Sequence, residues 1–299
     1  MTESANVRPS VSPRRTAAGK RRPFAATPSH YDHVAHGYDL VARTYDLVEG
    51  RNAISERVRR TTLQAALRAF RVGDRVLELG CGTGRDAVDL ARAGIQVVAT
   101  DISAEMISIT RARASREGVE DLVDARVLSA AEAVRAGGPY DGVYSNGAVL
   151  NLEPNLPEVV AGLKDSLRQG AHAVLTAANR LSLFELAVYP LGLRPRKAFR
   201  KLGTSVPIPI SREGIGKGYV VPTRFFTPKE FLWTFNGGFE VVSLRGLQSI
   251  TPPWNLVDMS TRFRTVVAPL ERIEDRIGTW RPLRTLGAIY LVVMRRRDR

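Results

Sequence analysis

The sequence predicts an α/β protein built on a mostly parallel sheet with helices on both faces, and three observations carry this prediction. Apolar runs alternate with amphipathic helical patterns between residues 75 and 178. Because parallel strands need a crossover between them, usually a helix, this alternation indicates a doubly wound sheet. A cluster of three glycines, GCGTG at 80–84, follows the first apolar run, and the second apolar run ends on one acidic residue, Asp101.

The composition bounds the size and class of the protein. Of its 299 residues, 44% are hydrophobic, which suffices for one core of ordinary size with a small appended subdomain. No apolar run approaches the roughly 20 residues that cross a bilayer, and the N-terminal region lacks the apolar segment of a secretory signal. Cys81 is the only cysteine, so neither an intrachain disulfide nor a cysteine-built metal site can form. We therefore expect a cytoplasmic protein.

The net charge of +14 is unevenly distributed. Residues 29–179, which contain the glycine cluster, carry −3, whereas residues 180–224 carry +7. A basic periphery is typical of proteins that meet nucleic acid, anionic lipid or an acidic small molecule. Solubility or a coding bias toward arginine explains the same excess, and composition alone does not separate these readings.

The N-terminal residues divide into a tail and a helical segment. Residues 1–28 are rich in Pro, Ser, Ala and Arg without periodicity, which predicts a disordered basic tail. Residues 29–70 predict a helical lid, because apolar and aromatic side chains recur on one helical face and residues 53–70 read as a second amphipathic helix. That first face carries Val34, Tyr38, Val41 and Tyr45.

The alternating core spans residues 71–180. Ser103 is a favourable N-cap for a helix that turns Met106 inward. Strands are predicted at 75–80, 96–101, 124–129, 140–146 and 171–178, and helices at 84–94, 103–117, from about 130, and at 155–168.

The pattern breaks after Asn179. Residues 181–222 form an insertion that mixes apolar with basic side chains and ends in a Pro- and Gly-rich loop. Residues 223–299 resume the sheet: TPKE is a capping box at the start of a helix, and FEVVSLRGL and LGAIYLVVMRR read as strands. Between these two strands, residues 248–284 contain a helical insertion, with the helical pattern over 255–281.

The glycine cluster predicts a nucleoside-containing cofactor. Parallel sheets bind ligands at the C-terminal ends of their strands, where the carboxylate of Asp101 can accept two hydrogen bonds from a ribose diol. A dinucleotide loop places a third glycine at position 85, where this chain has Arg85. Glu78, just before the loop, would repel a pyrophosphate and would suit a cationic sulfonium. The residues therefore favour S-adenosylmethionine over NAD.

Several stretches resemble class I S-adenosylmethionine-dependent methyltransferases. VLELGCGTG is similar to the first motif of that family, VVATDISAEMI to the segment after it, and YDGVYSNGAVLN to the region of the fourth strand. RFFTPKEF and LGAIYLVVMRR are similar to its closing elements, so the resemblance covers residues 31–299. It implies the Rossmann-like class I methyltransferase fold: a seven-stranded, mostly parallel sheet with helices on both faces and helical lid insertions.

The resemblance also implies a set of cofactor contacts. The loop residues would line the methionine part, Asp101 would bind the ribose, and Ile102 and Met106 would lie against the adenine. With Glu78, the full set is Tyr38, Tyr45, Gly80, Cys81, Gly82, Gly84, Asp101, Ile102, Met106, Ala130, Ala131, Glu132, Ser145 and Asn146. The third strand of this family often ends with an acid that faces the adenine, whereas Ser129 and two alanines follow it here.

Catalysis would need few groups. Methyl transfer from a sulfonium is an in-line displacement with a neutral leaving group, so positioning alone can supply about 7–11 kcal/mol. A hydroxyl acceptor usually needs a base. We expect the base and the walls of the site among His33, His36, Tyr38 and Tyr45 in the predicted lid, where His30 also lies. Surface histidines and core tyrosines are the competing readings, and no residue spacing indicates a catalytic metal.

Specificity is expected from the two insertions. In residues 181–222, apolar side chains such as Phe184 and Tyr189 alternate with basic ones such as Arg194, and the second insertion adds Trp254. This composition is typical of a lid over an apolar cavity with a cationic rim, and it suits a hydrophobic acceptor with an anionic or phenolic group. A lid that packs on itself, with solvated arginines, is the alternative.

These observations predict methyl transfer to a small, partly hydrophobic molecule, at oxygen, in a natural-product or quinone-like pathway. A methyltransferase acting on tRNA or another nucleic acid stays open but is not favoured, because SNGAVLN after the fourth strand is no base-flipping motif. A methyltransferase acting on an anionic lipid, with peripheral membrane contact, and a non-catalytic cofactor-binding protein also stay open, as does the oligomeric state.

Overall fold

A computed structural model describes residues 24–192, 195–203, 205–210 and 219–298. Within them, nine strands lie in two sheets. The strands are β1 (Arg75–Leu79), β2 (Gln96–Asp101), β3 (Val123–Val127), β4 (Tyr140–Ser145), β5 (Leu167–Ala178), β6 (Val206–Ile210), β7 (Tyr219–Thr223), β8 (Phe239–Leu247) and β9 (Ile289–Arg296).

The larger sheet has seven strands in the order β3-β2-β1-β4-β5-β9-β8. Strands β1 to β5 pair in parallel, and β9 lies antiparallel between β5 and β8. The prediction of a seven-stranded, mostly parallel sheet is therefore confirmed. The chain order reverses at β1, with β2 on one side and β4 on the other, and ligands bind in open parallel sheets at such a switch point.

The helices connect these strands and cover both faces of the sheet. Their bounds are α1 (Pro28–Arg51), α2 (Ala53–Ala69), α3 (Arg85–Arg92), α4 (Ala104–Arg116), α5 (Ala130–Ala133), α6 (Leu156–Ser166), α7 (Leu183–Leu191), α8 (Pro195–Ala198), α9 (Pro228–Thr234), α10 (Val257–Arg262), α11 (Arg264–Ile277) and α12 (Leu283–Leu286). No helix among the described residues combines the length and the apolar character that a bilayer crossing needs.

Two apolar clusters lie on the two faces of the sheet. Side chains of α5, α6 and α9 join one cluster, in which Leu163 and Phe231 are fully buried. Side chains of α2, α3 and α4 join the other, in which Ala66, Leu90 and Ile107 are fully buried. Burial of both faces is why the central strands read as continuous apolar runs rather than as alternating ones.

Local capping explains where the predicted helices begin. The Ser103 hydroxyl accepts a hydrogen bond from the Met106 amide at the start of α4, and Thr227 and Glu230 form the expected capping box at the start of α9. Both caps satisfy amides that have no partner inside the helix. The second insertion is tied down by buried Glu274 in α11, which accepts hydrogen bonds from the amides of Gln248, Ser249 and Ile250, from the hydroxyl of Thr251 and from Arg57 in α2.

Several boundaries differ from the sequence prediction. The predicted tail falls on residues 1–23, which lie outside the described residues, and on 24–28, of which Pro28 already begins α1. Strand β5 starts at Leu167 rather than 171, because Leu167 pairs with Tyr140 at the start of β4. The predicted insertion contains an antiparallel hairpin, β6–β7, that the sequence pattern did not indicate. The helical stretch at 255–281 is two helices, α10 and α11, that meet at Phe263.

Candidate functional site

A pocket opens at the C-terminal ends of the central strands. The loops after β1, β3 and β4 and the end of β2 form its floor, and α1 lies across it. The lining residues are His30, Tyr31, Val34, Tyr38, Tyr45, Gly80, Gly82, Asp101, Ile102, Met106, Leu128, Ser129, Ala130, Asn146, Gly147, Val149, Leu152 and Glu153. The predicted cofactor loop, the predicted ribose acid and the predicted lid therefore share one pocket.

The loop after β1 needs its glycines for different reasons. Gly80 has φ +72°, and a Cβ there would lie 2.3 Å from Val149, so backbone conformation and packing both exclude a side chain. Gly82 has φ +56°, but a Cβ on it would meet no atom within 4 Å. Because Gly82 lines the pocket, that open space is the space in which a ligand would approach the backbone.

Asp101 is held by the loop that it faces. Its Oδ2 accepts from the Gly82 amide and its Oδ1 from the Ser103 amide, both at 2.9 Å. Burial raises the pKa of Asp101 to about 6, although these backbone hydrogen bonds act in the opposite direction. The carboxylate is thus oriented before any ligand arrives, and its remaining lone pairs can accept further hydrogen bonds.

Glu78 lies in β1, beneath the glycine loop, and does not line the pocket. It is 2% exposed, and its Oε2 has no hydrogen-bond partner. Burial, with the nearby Asp86 and Asp101, raises its pKa well above the usual value. Because the carboxyl lies outside the pocket and burial favours its uncharged form, its expected contact with a cationic group of the cofactor is not supported.

Asn146 reaches the pocket because a buried network holds it. Its Nδ2 donates to Asp86 Oδ2 at 3.1 Å, and the same oxygen accepts from the Tyr144 hydroxyl at 2.8 Å. Arg59 of α2 donates to the other oxygen of Asp86 at 2.5 Å. The Arg59–Asp86 ion pair, behind the glycine loop, therefore holds the Asn146 side chain next to the glycines.

Besides Glu78, five of the expected cofactor residues do not line the pocket. Cys81 is buried against Thr110, and a Cβ on Gly84 would also meet Thr110. Ala131 belongs to the core, the Glu132 carboxylate accepts from Ser129 in a capping box, and the Ser145 hydroxyl donates to the Leu79 carbonyl. These positions support the site from behind and do not face it.

The structure does not place His33 and His36 in the pocket. His33 lies 2.8 Å from the Val220 carbonyl through Nε2 and 2.5 Å from the Tyr219 hydroxyl through Nδ1, so the hairpin occupies both ring nitrogens. His36 is exposed and meets the edge of the Tyr219 ring. Their expected role as bases is therefore not supported. Tyr38 and Tyr45 do line the pocket, and burial raises the pKa of each phenol well above its usual value.

The α1 helix is fastened over the pocket by two carboxylates. Asp39 accepts from the Ser103 hydroxyl at 2.5 Å and from the Glu105 amide at 3.2 Å. Asp46 accepts from the Thr83 hydroxyl at 2.6 Å, and its second oxygen accepts from Arg113. These contacts join the helix to the glycine loop and to α4.

His30, Tyr31 and Glu153 also line the pocket. His30 and Tyr31 were predicted to lie in the lid but were not among the expected site residues, and Glu153 was not considered. His30 occupies the same helical face as Val34 and Tyr38, each four residues further on, so the 3.6-residue period carried a signal for it. Glu153 carried none, because it follows β4 in an irregular loop. Within the described residues, no three His, Cys, Asp or Glu side chains converge as metal ligands.

The residues expected to bind the acceptor lie elsewhere. Phe184 and Tyr189 are on α7, and the Tyr189 hydroxyl accepts from Asn255 at 3.2 Å. Trp254 packs against the apolar cluster around α2 and α3, and its carbonyl accepts from Asn52. None of the three lines the pocket. Arg194 lies outside the described residues.

Comparisons with known proteins bear on the same segment of the chain. Residues 76–170 match the family model described as a methyltransferase domain. The ubiquinone biosynthesis O-methyltransferase of Xanthomonas axonopodis pv. citri is 33% identical over 118 residues, which are 39% of this chain and 48% of the relative. The chain thus spans about half the length of the curated relatives that it matches first.

Two solved structures show the fold. The [4+2]-cyclase SpnF aligns with a TM-score of 0.61 at 17% identity and covers 92% of this chain and 98% of its own. Geranyl diphosphate C-methyltransferase from Streptomyces coelicolor aligns with a TM-score of 0.54 at 13% identity, covering 92% and 99%. At these identities the likeness concerns the fold and not the reaction.

Proposed function

We propose, from the premise that this chain belongs to the class I S-adenosylmethionine-dependent methyltransferases, that it transfers a methyl group to a hydroxyl oxygen of a small, partly hydrophobic molecule. The main support for the proposal is one observation: Gly82 and Asp101 are joined by a hydrogen bond, and both line the pocket at the switch point of the sheet. The choice of oxygen follows the name of the curated relatives, which are O-methyltransferases.

The residues of the pocket fit S-adenosylmethionine by their chemistry. Asp101 would accept hydrogen bonds from the ribose, and the backbone at Gly80 and Gly82 is open to the methionine part. Asn146 supplies a polar contact there. Ile102, Met106 and Ala130 would enclose the adenine. When bound, the cofactor supplies an activated methyl group on a positively charged sulfur.

The contribution of the chain is orientation and exclusion of water. The α1 helix covers the pocket, with Tyr38 and Tyr45 facing inward and Asp39 and Asp46 fastening it to the floor. Aromatic faces attract a cationic group through their quadrupole, most strongly where water is absent. Holding the acceptor in line with the methyl–sulfur bond can supply about 7–11 kcal/mol of the barrier reduction.

The charge of the pocket favours an uncharged hydroxyl over an anionic acceptor. The described lining residues include the acids Asp101 and Glu153 but neither Lys nor Arg. The basic side chains Arg196, Lys197 and Arg200 of the predicted lid are exposed and do not line the pocket. Of the two acceptor types that the sequence suggested, a phenol or alcohol is therefore proposed, and a carboxylate or phosphate is not.

Two measurements test the proposal. Calorimetry with S-adenosylhomocysteine should show one site per chain. Mass spectrometry of small molecules that co-purify with the protein, followed by incubation with S-adenosylmethionine labelled at the methyl group, should then find an acceptor whose mass gains one labelled methyl. Turnover that collapses between low and moderate salt would instead indicate a nucleic-acid substrate, because phosphate contacts are strongly screened.

A second candidate is a cofactor-binding protein that transfers no methyl group. It is favoured by the structural likeness to a protein whose name is that of a cyclase. Both candidates predict cofactor binding, so affinity does not separate them. The methyl label separates the two candidates. Transfer of the labelled methyl group to a small molecule excludes the second candidate. A labelled cofactor that stays intact while a co-purified small molecule is converted excludes the first.

The proposed location is the cytoplasm, since Cys81 is free and buried, as suits a reducing compartment. We also propose contact with a membrane surface. Leu191, Phe199 and Leu202 are exposed beside the basic residues of α8. Flotation with anionic vesicles, but not with neutral ones, would support such contact.

A further inference from the structure

One end of the pocket presents polar groups that the cofactor contacts above do not use. His30 is 5% exposed and Glu153 is 4% exposed, and both line the pocket. The loop after β4 holds this end of α1 through both groups. His30 Nε2 lies 2.9 Å from the Leu152 carbonyl oxygen, and the Tyr31 hydroxyl donates to Glu153 Oε1 at 2.8 Å.

The contact with Leu152 decides which ring nitrogen of His30 is available. A carbonyl oxygen only accepts hydrogen bonds, so Nε2 carries the hydrogen. Nδ1 of the neutral ring is then a hydrogen-bond acceptor, and it is buried with no partner. A buried acceptor that lacks a donor is unfavourable, and a hydroxyl of a molecule in the pocket would supply that donor.

Glu153 is better placed to orient the helix end than to take part in proton transfer. Its Oε1 accepts both the Tyr31 hydroxyl and, at 2.9 Å, the amide of Asn155. These bonds connect the residue next to His30 with the loop that also carries Leu152. The ring of His30 is further enclosed by edge contacts with Phe24 and Tyr31. Its orientation is therefore determined from three sides.

We infer that His30 is the general base of the methyl transfer, which deepens the proposed function and rests on it. Nδ1 receives the proton of the acceptor hydroxyl. The oxygen forms its bond to the methyl carbon as the methyl–sulfur bond breaks, and the electron pair of that bond stays on sulfur as a neutral thioether. The proton leaves Nδ1 for water after the product departs. A positioned base of this kind contributes about 10²–10⁴-fold to the rate.

The test compares two phenols that differ in acidity, catechol and 4-nitrocatechol, at a mildly alkaline pH at which only the second is ionised. His30→Gln should reduce kcat with catechol by about 10²–10⁴-fold and should affect 4-nitrocatechol far less, because its proton is already lost. The affinity for S-adenosylhomocysteine should not change. His36→Gln is the matched control, since His36 lies on the same helix outside the pocket.

Equal losses with both phenols, or no loss with either, would overturn the role of His30 and leave the proposed function intact. Wild-type protein that binds S-adenosylhomocysteine but methylates neither phenol would contradict the hydroxyl acceptor and His30 together. Nitrogen-15 NMR of labelled histidines tests the geometry without any variant or acceptor. The neutral ring should carry its hydrogen on Nε2, and a hydrogen on Nδ1 would overturn the inference even if the variants fail to fold.

Discussion

The Gly82 amide donates a hydrogen bond to Asp101 Oδ2 at 2.9 Å, so the loop after β1 and the end of β2 form one structural unit. This bond extends the pairing of two adjacent strands, because the amides of Gly80 and Cys81 also donate to the Thr100 carbonyl at the end of β2. Any ligand that contacts both must fit the geometry that the bond sets. A substitution of Gly82 or of Asp101 should therefore weaken ligand contacts with both the loop and the end of β2.

Asp101→Ala should weaken binding of S-adenosylhomocysteine. The variant loses two ribose hydrogen bonds to a charged acceptor, each worth about 1.5–3 kcal/mol, so affinity should fall at least about a hundredfold. Calorimetry measures the change. Asp124→Ala is the control, because Asp124 is exposed on β3 and pairs only with its neighbour Arg126. Unchanged affinity in Asp101→Ala would contradict the ribose role.

Binding should also depend on pH through the same carboxyl. The pKa of Asp101 is about 6 because burial favours its neutral form. Ribose hydroxyls donate to the ionised form, so binding lowers this pKa and releases a proton when it occurs near or below pH 6. Affinity should rise with pH up to about 7 and stay level above it, falling by at most about tenfold per pH unit below 6.

Calorimetry in two buffers with different ionisation enthalpies counts the released proton directly. Release should be seen at pH 6 and should vanish at pH 8. Asp101→Asn, which cannot titrate, should show no release at either pH. Proton release that persists in that variant would assign the effect to another group, such as the buried Glu78.

Gly82→Ala should separate binding from folding. At φ +56° an alanine costs about 1–2 kcal/mol, and its Cβ meets no protein atom within 4 Å, so the fold should survive. The methyl group would project into the space where the ligand approaches, and affinity for S-adenosylhomocysteine should drop by at least about tenfold. Gly118→Ala is a matched control: Gly118 has φ +66°, open surroundings and an exposed position, and it does not line the pocket. Similar melting temperatures with similar affinities in both variants would contradict this use of Gly82.

Local signals explain which elements the sequence predicted. Strands β1 and β2 are mainly apolar runs that end at turn residues, β3 alternates buried with charged side chains, and α4 and α9 begin at side chains that cap them. The β6–β7 hairpin has no such signal. The β6 sequence VPIPI contains two prolines, which cannot donate backbone hydrogen bonds to a neighbouring strand, so the pattern indicates a loop. Its pairing with β7 depends on residues that follow position 218.

The sequence predicted the site correctly only for residues that lie close together in one short segment of the chain. Gly80, Gly82 and Asp101 lie within 22 positions and share the pocket as expected. Phe184 and Tyr189 were inferred from the composition of an insertion, and composition does not say where an insertion packs. The sequence led to the selection of His33 and His36 rather than His30, because the partner of each histidine comes from a distant segment: Leu152 for His30, and the β6–β7 hairpin for His33 and His36.

Asp46 provides the last prediction, on the lid. Asp46→Ala removes the acceptor for the Thr83 hydroxyl and for Arg113, and with it the attachment of α1 to the glycine loop. The Asp46–Arg113 pair is partly exposed, and such pairs are worth up to about 1 kcal/mol, whereas the Thr83 hydroxyl is buried, so the melting temperature should fall modestly. Dissociation of S-adenosylhomocysteine, followed by stopped flow, should become several-fold faster, because a helix that has lost its attachment to the glycine loop uncovers the pocket more often. Asp32→Ala, an exposed aspartate on the same helix, should leave the rate unchanged, and equal rates in all three proteins would show that α1 does not control release.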